Sequence, residues 1–399
     1  MASPAARPGA AGDCRLDQYW EDDVPFINDK LEETRRLRDQ KESLDAENAA
    51  LEDVVNLHLA HRTGGLKSRF QIDIDAVVRG LRAEILGQDQ ALEAVEDMLN
   101  VIRADITDPR RPLFTALFLG PTGVGKTEIV RSLARSIHGD ADAFCRIDMN
   151  TLSQEHYSAA LTGAPPGYVG AKEGKTLFDQ EKIEGSLKRP GIVLFDELEK
   201  ASPQVLQALL NVFDNGQLTV ASGERTYSFR NALVFMTSNL GARDIQNFEH
   251  RQRSLFRKLM PLSPQQRQRK ARDMVYRRLL GTFPPEFVNR IDHITVFNWI
   301  EPEVVNDLVR LEIERLNRRL LKHGVRVQVD PDVIDLLVKR GFDRQFGARS
   351  LRRAVRRHVE VPVAKYLLRH HRQAEDHEEG VQILQARRNQ DDVIISPRL

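Results

Sequence analysis

The chain has 399 residues, 41% of them hydrophobic, enough for about two to three domains at roughly 150 residues each. Lys and Arg number 59 against 58 Asp and Glu, a formal net charge of +1, which excludes a polyacidic tail protein and gives no global electrostatic case for binding nucleic acid. No apolar run of about 18 residues is present, so no membrane span is expected. The first residues carry neither the basic stretch nor the apolar core of a secretory signal, and two isolated cysteines, Cys14 and Cys145, fit a reducing cytoplasm.

Residues 1–26 are rich in Ala, Pro and Gly and then acidic, a composition that buries little and predicts disorder. Residues 27–66 form a second segment, charged and free of Gly and Pro until Gly64. Leu37, Leu44 and Leu51 recur every seventh residue, with Ile27, Asn48 and Val55 on the neighbouring row, which Thr34 and Lys41 share. Two readings stay open: a short coiled coil whose buried Asn sets register, or one amphipathic helix packed on its own domain.

From residue 67 to 298 short apolar runs alternate with helical stretches: Ala116–Leu119, Cys145–Met149, Ile192–Phe195, Leu233–Met236 and Ile294–Phe297. Runs of four or five residues, mostly apolar, are expected of strands covered on both faces, and strands separated by helices predict a parallel α/β sheet. Asn215-Gly216, followed by Leu218, Val220 and Tyr227, predicts an inserted hairpin. Residues 299–399 read as a separate, smaller α+β domain: helices over 301–322, 331–340 and 347–370, and strands at 325–329, 381–384 and 393–396.

Chemistry concentrates at three places. Gly120-Pro121-Thr122-Gly123-Val124-Gly125-Lys126-Thr127 follows a strand and opens a helix. There its backbone N–H groups and the helix N-terminus can cradle phosphate; Lys126 would reach the β- and γ-phosphates and Thr127 would bind magnesium. The apolar run Ile192–Phe195 delivers Asp196 and Glu197 to a strand's carboxyl end, where ligands of open α/β sheets lie. Asp196 would hold magnesium and Glu197 would activate the attacking water; the bland alternative is a strand-to-helix boundary that Asp196 or Glu199 merely caps. The fourth run ends in Thr237-Ser238-Asn239, where an amide could touch both the γ-phosphate and the water, or simply cap the strand end.

These motifs, together with Phe287-Val288-Asn289-Arg290-Ile291-Asp292 and Gly347-Ala348-Arg349, follow one another as in an AAA+ ATPase. Gly163-Ala164-Pro165-Pro166-Gly167-Tyr168-Val169-Gly170 and Phe229-Arg230-Asn231 narrow the resemblance to the second ATPase domain of ClpB and its Clp-family relatives, from about residue 80 to 370. The resemblance implies an ATP-dependent unfoldase, working as a hexameric ring with ATP and Mg²⁺ on unfolded or aggregated polypeptide. Its implied parts are Asn239 as first sensor, Arg290 as an arginine finger reaching a neighbour's ATP, Arg349 as second sensor, and Tyr168 with Val169 as the loop lining a central pore. An aromatic ring on a Gly-Pro loop can grip a chain without sequence preference, although such a tyrosine can equally pack on its own domain.

Three rival readings carry sequence features of their own. Protease-feeding relatives have an apolar–Gly–apolar tripeptide between first sensor and finger; residues 241–285 hold none, favouring a stand-alone remodeller. Basic clusters at 251–278 and 349–357 motivate action on nucleic acid, but few aromatics interleave them and solvated helix faces are the simpler reading. A regulatory scaffold without turnover is opposed by Lys126, Glu197 and Arg290, all present.

Overall fold

The computed structural model describes residues 68–153, 178–219, 226–245, 247, 263–343, 347–370 and 381–398. The heptad segment and the Tyr168–Val169 loop lie outside the described residues.

The five predicted apolar runs form one parallel sheet. Its strands are β1 (Phe114–Leu119), β2 (Cys145–Asp148), β3 (Gly191–Asp196), β6 (Ala232–Ser238) and β7 (His293–Val296), in the order β2-β3-β6-β1-β7. β3 and β6 are buried along their whole length, the reason their sequences show no alternation. The pair β4 (Gln217–Thr219) and β5 (Thr226–Ser228) is antiparallel and separate from the main sheet, as expected of the predicted hairpin. Asn215-Gly216 is not its turn: Asn215 ends the helix Pro203–Asn215, and Gly216, at φ +64, caps that helix by donating to the Val212 carbonyl.

Helices cover both faces. α1 (Ile74–Glu84), α2 (Asp89–Ala104) and α3 (Lys126–His138) supply one core, built on Leu81, Met98, Leu99, Val130 and Leu133 against Phe118 and Phe235. α5 (Pro203–Asn215), α6 (Pro264–Leu280) and α7 (Pro285–Val288) supply the other, with Val212, Phe213, Val275 and Phe287 against Val193, Val234 and Met236. Helix starts follow a repeated chemistry. Ser202 and Ser263 cap α5 and α6 by accepting the N–H of Val205 and Gln266, each with proline at the first helical position. The short α4 (Gln180–Glu184) is capped by Asp179.

The C-terminal part contains α8 (Pro302–Leu320), β8 (Val325–Val329), α9 (Pro331–Gly341), α10 (Ala348–Val355), α11 (Val361–His370), β9 (Gln382–Asn389) and β10 (Asp392–Pro397). Its three strands run β10-β9-β8, antiparallel and then parallel. The predicted 347–370 helix is interrupted by a π segment, Arg356–Glu360, between α10 and α11. Asn317, 4% exposed, accepts the Val327 N–H and donates to the Val327 carbonyl, at 2.8 and 3.1 Å. A side chain thus completes the pairing of β8 that no further strand supplies there. Among the described residues, no helix is long and apolar enough to cross a membrane.

Parallel pairing sets the strand ends level. β1 pairs β6 with Leu119 opposite Ser238, and β3 pairs β6 with Phe195 opposite Met236. The three sequences that follow these strands, the glycine-rich loop, Asp196-Glu197 and Asn239, therefore emerge side by side at the carboxyl edge.

Candidate nucleotide site

A cavity of about 330 Å³ lies over that edge. It is lined by Thr122 to Thr127, Asp196, Glu197, Thr237 and Asn239 from the sheet side, and by Leu308, Leu311, Glu312, Ala348, Arg349 and Arg352 from the C-terminal part. Of the predicted residues, Gly120 and Pro121 turn their carbonyls to Lys126.

Lys126 is the centre of the arrangement. It is 7% exposed, and its Nζ donates to the carbonyls of Gly120 at 2.5 Å and Pro121 at 2.8 Å and to Asn239 Oδ1 at 2.9 Å. Burial pushes its ammonium down from the ordinary lysine range to about 8, offset in part by the negative charge of Glu199, Asp196 and Glu197 and reinforced by the positive charge of Arg349. Gly125 has φ +108, and a Cβ built there would meet nothing within 4 Å. The bare backbone faces open space at the start of α3, the geometry that lets main-chain N–H groups approach an anion. A buried amine beside a glycine cradle fits a nucleotide's phosphates.

Asp196 is held from two sides. The Thr237 hydroxyl donates a very short hydrogen bond to its Oδ1, and Arg146 approaches Oδ2 with Nη2 at 2.5 Å and Nε at 3.1 Å. A carboxylate has about four lone-pair directions, so room remains for a further partner. Glu197 sits at φ +60, a left-handed conformation that costs a non-glycine residue about 1 kcal/mol or more. Its backbone is braced there by donating to Thr237 Oγ1 at 3.2 Å. Thr237 therefore fixes both acids. Among the described residues no three His, Cys, Asp or Glu side chains converge as a metal cage. Magnesium at phosphate sites takes one or two carboxylates and the phosphates themselves, and the oxygen donors Thr127 and Asp196 are of the right chemistry.

The C-terminal part closes the cavity through backbone. Ala348 N–H donates to Gly123 O at 2.9 Å, and Gly347, at φ +52, lies so close that a Cβ would sit 2.6 Å from that same carbonyl oxygen. Ion pairs reinforce the junction: Arg315 bridges Glu128 at 2.7 Å and Glu312 at 2.9 Å, and Arg352 reaches Glu312 at 3.1 Å. Glu84, nearly buried, takes Arg135 at 2.5 Å and Arg318 at 3.6 Å. Arg349 lines the cavity, exposed and without a partner among the described residues. Of the basic 349–357 cluster, Arg349 and Arg352 thus line the cavity, and Arg352 also pairs with Glu312.

Arg290 is elsewhere. Its carbonyl accepts from Arg111 Nη2 at 3.2 Å and Thr115 Oγ1 at 3.3 Å, and Asp292 Oδ2 takes the Thr115 N–H at 2.8 Å. Its guanidinium pairs with Asp214 at 2.5 Å. Thr115 is the second residue of β1 and the glycine-rich loop follows the strand's end, so the two are separated by about 15 Å at roughly 3.3 Å per residue. Arg290 does not line its own chain's cavity.

Residues 111–294 match the AAA domain (Cdc48 subfamily), and residues 300–379 match the C-terminal, D2-small domain, of ClpB protein. An ATP-dependent protease ATP-binding subunit-like protein, AmiB, of Pseudomonas aeruginosa is 63% identical over 348 residues, covering 87% of this chain and 94% of its own length. The chain belongs to the Clp family of AAA+ ATPases. Chaperone protein ClpB of Vibrio cholerae is 40% identical over 72% of this chain, which spans 31% of that relative. ClpC/MecB of Bacillus subtilis is 35% identical over 86% of this chain and 41% of its own length. A closed-state Hsp104 reconstruction with ATPγS and FITC casein superposes with a TM-score of 0.64 at 27% identity, covering 81% of this chain and 51% of that one. As a Clp-family AAA+ ATPase, the chain is a nucleotide-binding protein.

Sequence reasoning did not single out Arg146, Glu128, Arg315 or the Glu84 cluster, whose partners lie tens to hundreds of positions away. Glu199, weighed only as a cap, instead reaches across to β6 and accepts the Asn239 N–H at 3.1 Å. The spacing Asp196-Glu197-Leu198-Glu199, with a third acid beside an apolar residue, was the available signal.

The close approach of Gly347 yields a direct test. Gly347→Ala must move the junction away from Gly123, at a strain of about 1–3 kcal/mol. Fluorescent ADP titration should show affinity reduced by about 5- to 100-fold; unchanged affinity would mean that this contact does not shape the site.

Proposed function

We propose that this chain is an ATP-driven protein remodeller of the Clp type, which assembles into a ring, hexameric as the resemblance implies, and pulls unfolded or aggregated polypeptide past Tyr168 and Val169. One observation carries the reading: Lys126, Asp196, Glu197, Asn239 and Arg349 share one cavity, while Arg290 is anchored at the opposite end of β1. A guanidinium that does not line its own chain's cavity suits a role at another subunit's.

Within one site the roles follow from chemistry. Lys126 and the loop N–H groups bind the phosphates; Arg349 adds a guanidinium from the C-terminal part, so binding and closure are coupled. Thr127 and Asp196 would hold Mg²⁺, which supplies charge neutralisation at the phosphate oxygens. Glu197 takes a proton from the attacking water, and Asn239 orients that water against the γ-phosphate. Arg290 of a neighbouring copy neutralises charge that develops as the bond to the β-phosphate breaks. On release of the terminal phosphate the tie between Arg349 and the sheet is lost, and the C-terminal part moves as a rigid body with the Tyr168 loop responding. We place this activity in the cytoplasm, on protein rather than nucleic acid clients. The domain division that suits it is an ATPase domain over 67–298 and a lid over 299–399. The name of the Pseudomonas relative favours a second reading, a subunit that delivers chains to a protease; degradation of a client on adding a Clp peptidase would favour it.

The subunit-crossing claim is tested by complementation. Lys126→Ala and Arg290→Ala should each lose ATPase activity, the latter by about 10³–10⁵-fold. Mixed before assembly they should recover part of it, because an intact Lys126 site then meets an intact finger; no recovery contradicts action in trans. For the pore role, Tyr168→Ala should keep ATP turnover within about twofold but fail to unfold a fluorescent client. Full unfolding by that variant would remove Tyr168 from the mechanism.

A further inference from the structure

Glu199 is the acid that the nucleotide chemistry leaves unused. It lies on the one-turn helix Leu198–Lys200 that follows β3, but its carboxylate does not cap that turn. Oε1 crosses to β6 and accepts the Asn239 N–H at 3.1 Å, whereas Oε2 is buried with no hydrogen-bond partner among the described residues. Asn239, held by its main chain, uses Oδ1 to accept from Lys126 Nζ at 2.9 Å and from Thr122 Oγ1 at 3.4 Å. With that oxygen engaged, the amide's NH₂ is the end available to the cavity that Asn239 lines.

We propose that Glu199 is a positioning residue for hydrolysis: its Oε1 fixes the Asn239 backbone so that the amide is aimed at the reacting phosphate. The inference deepens the hydrolytic reading given above and rests on it. Glu199 stands two residues beyond Glu197 on the same turn, so one short segment carries the group that activates water and the group that sets the sensor. The bond therefore fixes the spacing between Glu197 and Asn239, which come from different strands and which a single attacking water must contact together. A buried polar oxygen left without a hydrogen bond is unfavourable for stability, which points to a role in the chemistry.

Two variants separate the bond from the charge. Glu199→Ala removes the acceptor, and Glu199→Gln keeps an acceptor oxygen while removing the charge. The expected result for Glu199→Ala is a kcat lowered by about tenfold, the scale of one lost hydrogen bond, with fluorescent-ADP affinity within about twofold of that of Glu199→Gln, which lacks the same negative charge beside Lys126. Glu199→Gln should recover most of kcat. A parental kcat in Glu199→Ala overturns the proposal. So does an ADP affinity that falls in parallel with kcat in Glu199→Ala but not in Glu199→Gln, which would make Glu199 part of the pocket's framework, and so does a Gln variant as slow as Ala. Glu197→Gln measured alongside keeps the two levels apart. If it hydrolyses ATP normally, the hydrolytic reading itself fails; if it is inactive while Glu199→Ala is not, only the positioning role fails.

Discussion

The Lys126 ammonium, nearly excluded from water, is satisfied by two carbonyls of its own loop and by an amide that arrives from another strand. Burying a charge is unfavourable unless it is paired and hydrogen-bonded, so this group imposes conditions on its surroundings. The loop must turn back on itself to present the Gly120 and Pro121 oxygens. β6 must lie beside β1, or Asn239 could not arrive. Acids must stand close enough to support the charge, and Glu199, Asp196 and Glu197 do so from the end of β3. The strand order β3-β6-β1 meets all three conditions at one edge of one sheet.

From that point the structure extends in two directions. Outward, the carbonyl of Gly123 and the carboxylate of Glu128, both within or just beyond the loop, carry the junction to α8 and α10. Gly123 and Glu128, which line the cavity, are therefore the same residues that hold the C-terminal part in place. Along the sheet, Thr115, Arg111 and Asp292 anchor Arg290 at the far end of β1. One strand thus carries the glycine-rich loop at one end and the anchor of Arg290 at the other, which suits the proposed ring, whose neighbouring sites would be complementary rather than self-sufficient.

Much of this was legible in the residues because its rules are local. A strand, a glycine-rich turn and a helix in succession define the phosphate loop within about 15 positions, and an apolar run followed by two acids defines the end of β3. The Asp-Pro, Glu-Pro and Ser-Pro pairs that open α5, α6, α8 and α9 mark their own boundaries. What the residues concealed depends on pairing across the fold. Arg146 reads as one exposed position of an alternating strand until β2 is set beside β3 and its guanidinium falls on Asp196. Gly347 reads as an ordinary helix start until the fold brings it against Gly123. The π segment at Arg356–Glu360 did carry a local signal, because Pro362 just beyond it has no N–H to donate to the His358 carbonyl.

The central claim is that a buried, partly neutralised lysine receives the phosphates, and proton uptake tests it most directly. Near pH 8 the free Lys126 is about half protonated, and bound phosphate charge raises its pKa, so ADP binding must draw a fraction of a proton from the buffer. Calorimetry at pH 8 in buffers of different ionisation enthalpy should give a binding enthalpy that varies with the buffer and shows net uptake, fading towards pH 6.5. A binding enthalpy independent of buffer at pH 8 would contradict the account.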